Sequence, residues 1–298
     1  MKRFLGKIAI YLIPFPLYIG LVVLIDPYNY FNVSHLISQE TKEETSSLFN
    51  PQLWKLIKYR HLKSDKIILG DSRSAQVNAE HLKQATGQEV YNFSYAGGTL
   101  VDMIETFWYV VDIKDINSVY FGINFNLYND FERNNGVEQA RSTMKNMFSY
   151  SFSKVVFRTM LQNIKKQYFV KDFKLGVPDM SQDEFWNYQL ESMGIRFYQK
   201  YKHPDQYLKQ LTEIAEYCNA NDINLVFFMP PTHVDLQKRI ADFNLEKEYK
   251  RYVEEISSLG KCYNLDVPSD YTQKRKNFND PFHSVNDSLI IDKVWINN

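Results

Sequence analysis

Cysteine is scarce in this chain: among 298 residues only Cys218 and Cys262 occur. A disulfide framework is therefore excluded as the source of stability. One bridge could still form, since Cys218 is expected to end a helix and Cys262 to begin a strand, but two free thiols are the favoured reading. Neither cysteine stands in a metal-ligand spacing and the six histidines show no paired pattern, so no zinc or other metal site is expected. Net charge is lacking as well. The 35 Lys+Arg balance 35 Asp+Glu, which argues against a general nucleic-acid binder. What the chain has is apolar mass, 44% hydrophobic against 23% charged, enough to bury a substantial core.

Charge is missing altogether from Ile8 to Ile25, a run of 18 residues. That is about the minimum for a membrane span. Lys2, Arg3 and Lys7 precede the run and Asp26 follows it, which predicts a cytoplasmic N-terminus and an external remainder. A cleaved signal peptide is the alternative. The bulky Leu24-Ile25-Asp26-Pro27-Tyr28 offers no small-x-small site, so residues 1–26 are read as an uncleaved anchor. Pro14 and Pro16 would kink its helix, which a bilayer tolerates where neighbours satisfy the freed carbonyls. Residues 27–62 read as a connector and helical lead-in, Leu53, Leu56, Ile57 and Leu62 giving a loose apolar stripe, and 63–298 as the globular domain.

Beyond the connector, short apolar runs alternate with amphipathic stretches. Strands are expected at Lys66–Leu69, Val90–Phe93, Val119–Ile123, Leu225–Met229 and Cys262–Val267. Helices are expected at Glu80–Ala85, Leu100–Val111, Gln206–Asn219, Asp235–Leu259 and Asn286–Ile296. This alternation predicts an α/β fold, a three-layer parallel sheet flanked by helices. Ligands in such folds bind beyond the carboxyl ends of the strands. Residues 126–204 interrupt the pattern with an insertion too long for a structureless loop, hence helical. Within it Phe152, Val155, Val156, Phe157, Met160, Leu161, Ile164 and Tyr168 recur at helical spacing. Across residues 145–174 seven Lys/Arg face the single acid Asp172. Such a basic amphipathic helix packs as a lid with a solvated basic face, or lies on a membrane or partner.

Chemistry gathers at the predicted strand ends. Gly70-Asp71-Ser72-Arg73 follows the first strand, Asn92-Phe93-Ser94-Tyr95-Ala96-Gly97 ends the second, and Gly122-Ile123-Asn124 closes the third. Near the C-terminus stands Asp280-Pro281-Phe282-His283. A serine hydroxyl is a weak nucleophile until an oriented base takes its proton, and these segments supply serine, imidazole and carboxylate. Each alone has an ordinary explanation. Gly-Asp-Ser is common in turns, and Asp-x-x-His often starts a helix with Asp as the N-cap.

The ordered set of four resembles the SGNH/GDSL hydrolase superfamily. The resemblance implies Ser72 as nucleophile, His283 as base and Asp280 as orienting acid. It further implies an oxyanion hole from the Ser72 and Gly97 N–H groups and the Asn124 side chain. Arg73 and Phe125 depart from the simple members, which often have leucine and aspartate there. Those departures resemble the membrane-anchored branch that includes the D protein of teichoic-acid D-alanylation and the alginate O-acetylation proteins. That branch implies an extracytoplasmic serine acyltransferase moving acetyl or D-alanyl onto a cell-surface polysaccharide or teichoic acid. It also implies a polytopic membrane O-acyltransferase as partner and no cofactor. A carbohydrate esterase with the same triad and a non-catalytic scaffold are the alternatives. Asp71, Arg73, Tyr128 and His233 are further candidates for substrate contact, with Arg73 alternatively pairing a carboxylate such as Asp71. Trp186, Tyr188 and Tyr198 could stack on sugars, although buried roles suit most of these aromatics, and a helix-start role suits His233.

Overall fold

A computed structural model describes residues 11–131, 134–170 and 180–297. The chain forms two units, one from residues 1–62 and 137–177, the other from residues 63–136 and 178–298.

The second unit is built on five parallel strands: β1 (Lys66–Leu69), β2 (Tyr91–Asn92), β3 (Ser118–Gly122), β4 (Asn224–Met229) and β5 (Lys261–Asn264). Their order is β2-β1-β3-β4-β5, with Ile68 opposite Asn92 and Tyr120, and Phe121 opposite Phe227. Because strand side chains alternate between faces, Ile68, Tyr120, Val226 and Phe228 bury one face with Leu82, Ile290, Val294 and Trp295 of the flanking helices. Ile67, Leu69, Val119, Phe121 and Phe227 are buried as well, at the alternate positions, so both faces are covered and the strands read as near-continuous apolar runs. β2 is shorter than predicted. Tyr91 and Asn92 alone hold the ladder, and Phe93 and Tyr95 continue from it by donating their N–H groups to Ile68 and Gly70.

Two predicted helices are divided. The stretch read as Asp235–Leu259 is Val234–Asp242 followed by Glu246–Ser258. Asn244 between them adopts φ 56°, a left-handed conformation that asparagine tolerates and that ends a helix. The C-terminal stretch is α-helical over Ser288–Ile291 and continues as π-helix over Asp292–Ile296. The insertion holds helices at Gly136–Thr143, Met147–Ser151, Lys154–Tyr168, Gln182–Tyr188 and Gly194–Tyr198. Its 137–177 portion belongs to the first unit and the rest to the second.

Residues 1–10 of the expected anchor, which include the start of its uncharged run at Ile8, lie outside the described residues. Its described part is the helix Pro14–Ile25, 12 residues long, a rise of about 18 Å. Among the described residues no helix is long and apolar enough to cross a membrane. The segment 27–62, expected to be a connector and helical lead-in, holds two helices. Ser38 caps the helix Gln39–Phe49, and Asn50 caps Pro51–Arg60. Asp26 starts the turn before them, accepting N–H groups from Tyr30 at 2.8 Å, Phe31 at 3.0 Å and Asn32 at 2.8 Å. Tyr150 donates its hydroxyl to the same carboxylate, and Tyr30 stacks on the Tyr150 ring at 4.4 Å.

The basic helix also differs from its expected packing. Of the apolar residues read as its inner face, Val156 and Met160 are buried, whereas Phe152, Phe157, Leu161 and Tyr168 are exposed. Its inner face is completed by polar Thr159 and Asn163. Tyr28 shares a hydrogen bond with Thr159 at 2.8 Å, and Thr45 donates to Asn163.

Candidate active site

Ser72 sits on the loop that leaves β1, and His283 lies on a short hairpin far along the chain. β6 (Phe278–Asp280) and β7 (His283–Ser284) pair antiparallel, with Asp280 directly opposite His283. Asp-x-x-His here is thus a hairpin, not a helix start, and the two-residue turn Pro281-Phe282 brings carboxylate and imidazole together. Asp280 accepts from His283 Nδ1 at 2.8 and 2.9 Å through its two oxygens. One of those oxygens also takes the N–H groups of Phe282 at 2.8 Å and His283 at 3.1 Å. A carboxylate can only accept, so Nδ1 carries the proton and Nε2 is left as the acceptor. Ser72 Oγ lies 2.8 Å from that Nε2. Hydroxyl, imidazole and buried carboxylate therefore form one hydrogen-bonded chain spanning 211 residues of sequence.

The chain opens on a cavity of about 190 Å³ lined by Gly97, Gly98, Asn126, Arg196, Phe197 and Phe282 among others. The cavity lies beyond the carboxyl ends of β1 and β3, where the strand order reverses and ligands of such sheets are held. Gly97 adopts φ 67°, a conformation that costs other residues energy. Close approach is equally demanding at Gly122. A Cβ there would fall 2.0 Å from Ser74 Oγ and 2.7 Å from the Phe228 ring, so only glycine lets the β1 loop seat against β3. Asn92 fixes the same loop, donating to the carbonyls of Ser74 and Val77 at 2.9 Å each. Among the described residues, neither the Ser72 nor the Gly97 N–H donates to another group.

Asn124 does not reach this cavity. It is 1% exposed, and its side-chain amide donates to the Pro230 carbonyl at 2.8 Å and approaches Asp266 at 3.4 Å. Those bonds tie the end of β3 to the loop after β4. The asparagine that lines the cavity is Asn126, two residues further on and 4% exposed. The Gly-x-Asn spacing points to Asn124, whereas the cavity lining holds Asn126, because alternation lapses once the chain leaves the last ladder bond of β3.

Arg73 turns to Asp71. Its Nε lies 3.0 and 3.2 Å from the two carboxylate oxygens, and Nη2 also donates to that group. Burial opposes the Arg73 charge, but Asp71, with Asp266 and Tyr198 adding to it, holds the guanidinium above its ordinary pKa. The pair forms part of the cavity wall, with Arg73 5.8 Å from the Phe282 ring. Deeper in, burial drives the Asp266 carboxyl above the ordinary carboxylate range against hydrogen bonds from Thr232 and the Arg73 charge.

Other candidates lie elsewhere. Tyr128 is buried and donates to Glu255 at 2.7 Å, with His203 Nε2 2.8 Å from the same oxygen. His233 caps the Val234–Asp242 helix and lines a separate cavity of about 760 Å³. Trp186 and Tyr198 are buried, which leaves no face for stacking on a sugar. Tyr188 is exposed but does not line the Ser72 cavity. Cavity residues that carried no sequence signal are Gln189, Arg196 and Phe197, brought in by the insertion. Cys218 is buried and Cys262 half-buried, both as free thiols. Among the described residues no group of His, Cys, Asp or Glu could hold a metal ion.

No family model matches the chain, and no curated protein matches it. A solved structure from Streptococcus pneumonia, provisionally assigned as a platelet activating factor, is similar at 12% identity over 78% of this chain and 85% of that one, with a TM-score of 0.39.

Proposed function

We propose that this chain is a serine acyltransferase or esterase of the SGNH type, membrane-anchored with its catalytic unit outside the cytoplasm. The observation that carries the reading is the continuous hydrogen-bonded chain from Ser72 through His283 to Asp280, opening on a cavity flanked by undonated N–H groups. Ser72 Oγ attacks the carbonyl carbon of an acyl ester while His283 Nε2 takes its proton. Asp280 holds the imidazole in register and stabilises the cation that forms. The carbonyl electron pair moves onto oxygen, and the donors within reach of the cavity are the Ser72 and Gly97 N–H groups and the Asn126 amide. The tetrahedral intermediate collapses as His283 returns the proton to the departing alkoxide, leaving Ser72 acylated. A hydroxyl then repeats the sequence in reverse and frees the serine.

The second hydroxyl decides between transfer and hydrolysis. By resemblance to the anchored branch, the acceptor is a sugar hydroxyl of a cell-surface polysaccharide or a teichoic acid. The acyl group is acetyl or D-alanyl, and a polytopic membrane O-acyltransferase supplies it. The deciding experiment incubates the protein with an activated acetyl ester and follows intact mass and ester turnover beside Ser72→Ala. A persistent acetyl adduct on the unmutated chain alone supports a transferase, and fast turnover without adduct supports an esterase. If neither chain reacts, with or without membranes, the catalytic reading fails and a scaffold role takes its place.

A further inference from the structure

The first unit leaves a group of large apolar side chains exposed on its surface. On the helix Lys154–Tyr168 the exposed stripe runs Lys154, Phe157, Arg158, Leu161, Lys165, Tyr168, cations alternating with large apolar groups and no acid among them. Phe152, just before it, is 51% exposed, and Phe148 is 60% exposed. The apolar helix Pro14–Ile25 joins this surface directly. Phe15 and Tyr18 pack on Phe152 at 6.4 and 5.4 Å between ring centroids, and Tyr18 meets Phe157 at 6.4 Å. Leu17, Leu21 and Leu24 remain exposed beside them, while Val22 and Ile25 are buried. This helix is fastened: Tyr18 donates to the Ser151 carbonyl at 2.7 Å, and the turn after Asp26 is stapled to Tyr150. The result is one continuous apolar surface from two segments more than 120 residues apart.

Water is a poor solvent for such a patch, and soluble proteins rarely leave one uncovered. Aromatic rings set among lysine and arginine, without carboxylates, suit the boundary between acyl chains and anionic headgroups, where the rings enter the apolar edge and the cations stay with the phosphates. We propose that the Lys154–Tyr168 helix and Phe148–Phe152 lie in the interfacial layer of an anionic bilayer beside the helix Pro14–Ile25, giving this unit a second membrane contact besides its N-terminal segment. This rests on the anchored reading above.

The test uses the full chain reconstituted with vesicles of phosphatidylcholine and phosphatidylglycerol whose acyl chains are brominated near the glycerol end. Phe152→Trp places a reporter on the patch, over the background of Trp54, Trp108, Trp186 and Trp295 in the unmutated chain. If the chain floats with the vesicles and most of the emission added by F152W is quenched, the surface lies in the interface. If it floats and the added emission is unquenched, the second contact is overturned while the anchor stands, and the patch is left to a protein partner. If the chain does not float, both fail.

Discussion

Asn124 and Asn126 stand two residues apart on one loop yet meet different demands. The first spends its side-chain hydrogens on the Pro230 carbonyl and Asp266, so it holds loops together. The second lines the cavity beside Ser72. Asn126→Ala is expected to lower kcat for ester turnover by about 10²–10³-fold, the usual cost of one lost oxyanion donor, with little change in melting. Asn124→Ala is expected to do the opposite, leaving the buried Pro230 carbonyl unpaired at a cost of about 1–3 kcal/mol. Steady-state kinetics and thermal unfolding of both variants decide. A wild-type kcat in Asn126→Ala would remove it from the proposed mechanism. The sequence shows the kinds of residue needed and the strand ends that present them. It does not show which of two nearby asparagines turns inward, because beyond Gly122 no ladder enforces alternation. Nor does it show Arg196 or Phe197, whose place at the cavity depends on how the insertion folds.

At the scale of elements, helix starts and stops carry most of the difference between reading and structure. Residues 234–259 keep one helical period throughout, and the break at Asn244 is a backbone event that periodicity does not register. The start of that helix makes a separate prediction. His233 Nδ1 accepts the Asp235 N–H at 3.2 Å, which requires that nitrogen to be unprotonated. Burial holds the His233 pKa below its ordinary value, against the attraction of Asp235. A histidine whose folded pKa is depressed contributes stability above its unfolded value, and that stability is lost as pH falls through the folded value. Chemical denaturation should therefore show the protein losing stability below about pH 6.5. His233→Asn, which keeps a capping acceptor that does not titrate there, should lose less by up to about 1 kcal/mol. Parallel loss in both proteins would dissociate the cap from the pH effect.

Across the whole molecule, the chain leaves the first unit at residue 62, returns at 137 and leaves again at 177. That threading explains why 27–62 reads as no more than a connector and helical lead-in. The helix Gln39–Phe49 shows no apolar stripe because part of its buried surface is polar, Thr41 and Thr45 meeting Gln167 and Asn163, partners more than 100 residues away that no local window contains. The parallel sheet of the second unit was legible because buried strands are short continuous apolar runs wherever they stand. Its integrity can be followed through one atom. Cys218 ends the helix Asp205–Ala220 at 1% exposure, and burial pushes its thiol pKa up to about 12. At pH 8 about one thiol in 10⁴ would be the reactive thiolate, so modification in the folded chain is slow on two counts, ionisation and access. In Cys262→Ala, which leaves Cys218 as the only thiol, a disulfide reagent should react only as this unit opens. The rate should then rise with denaturant in step with loss of the fold. Fast labelling of Cys218 in native buffer would mean that the Asp205–Ala220 helix opens without the sheet, and that the unit is not the cooperative body its continuous core implies.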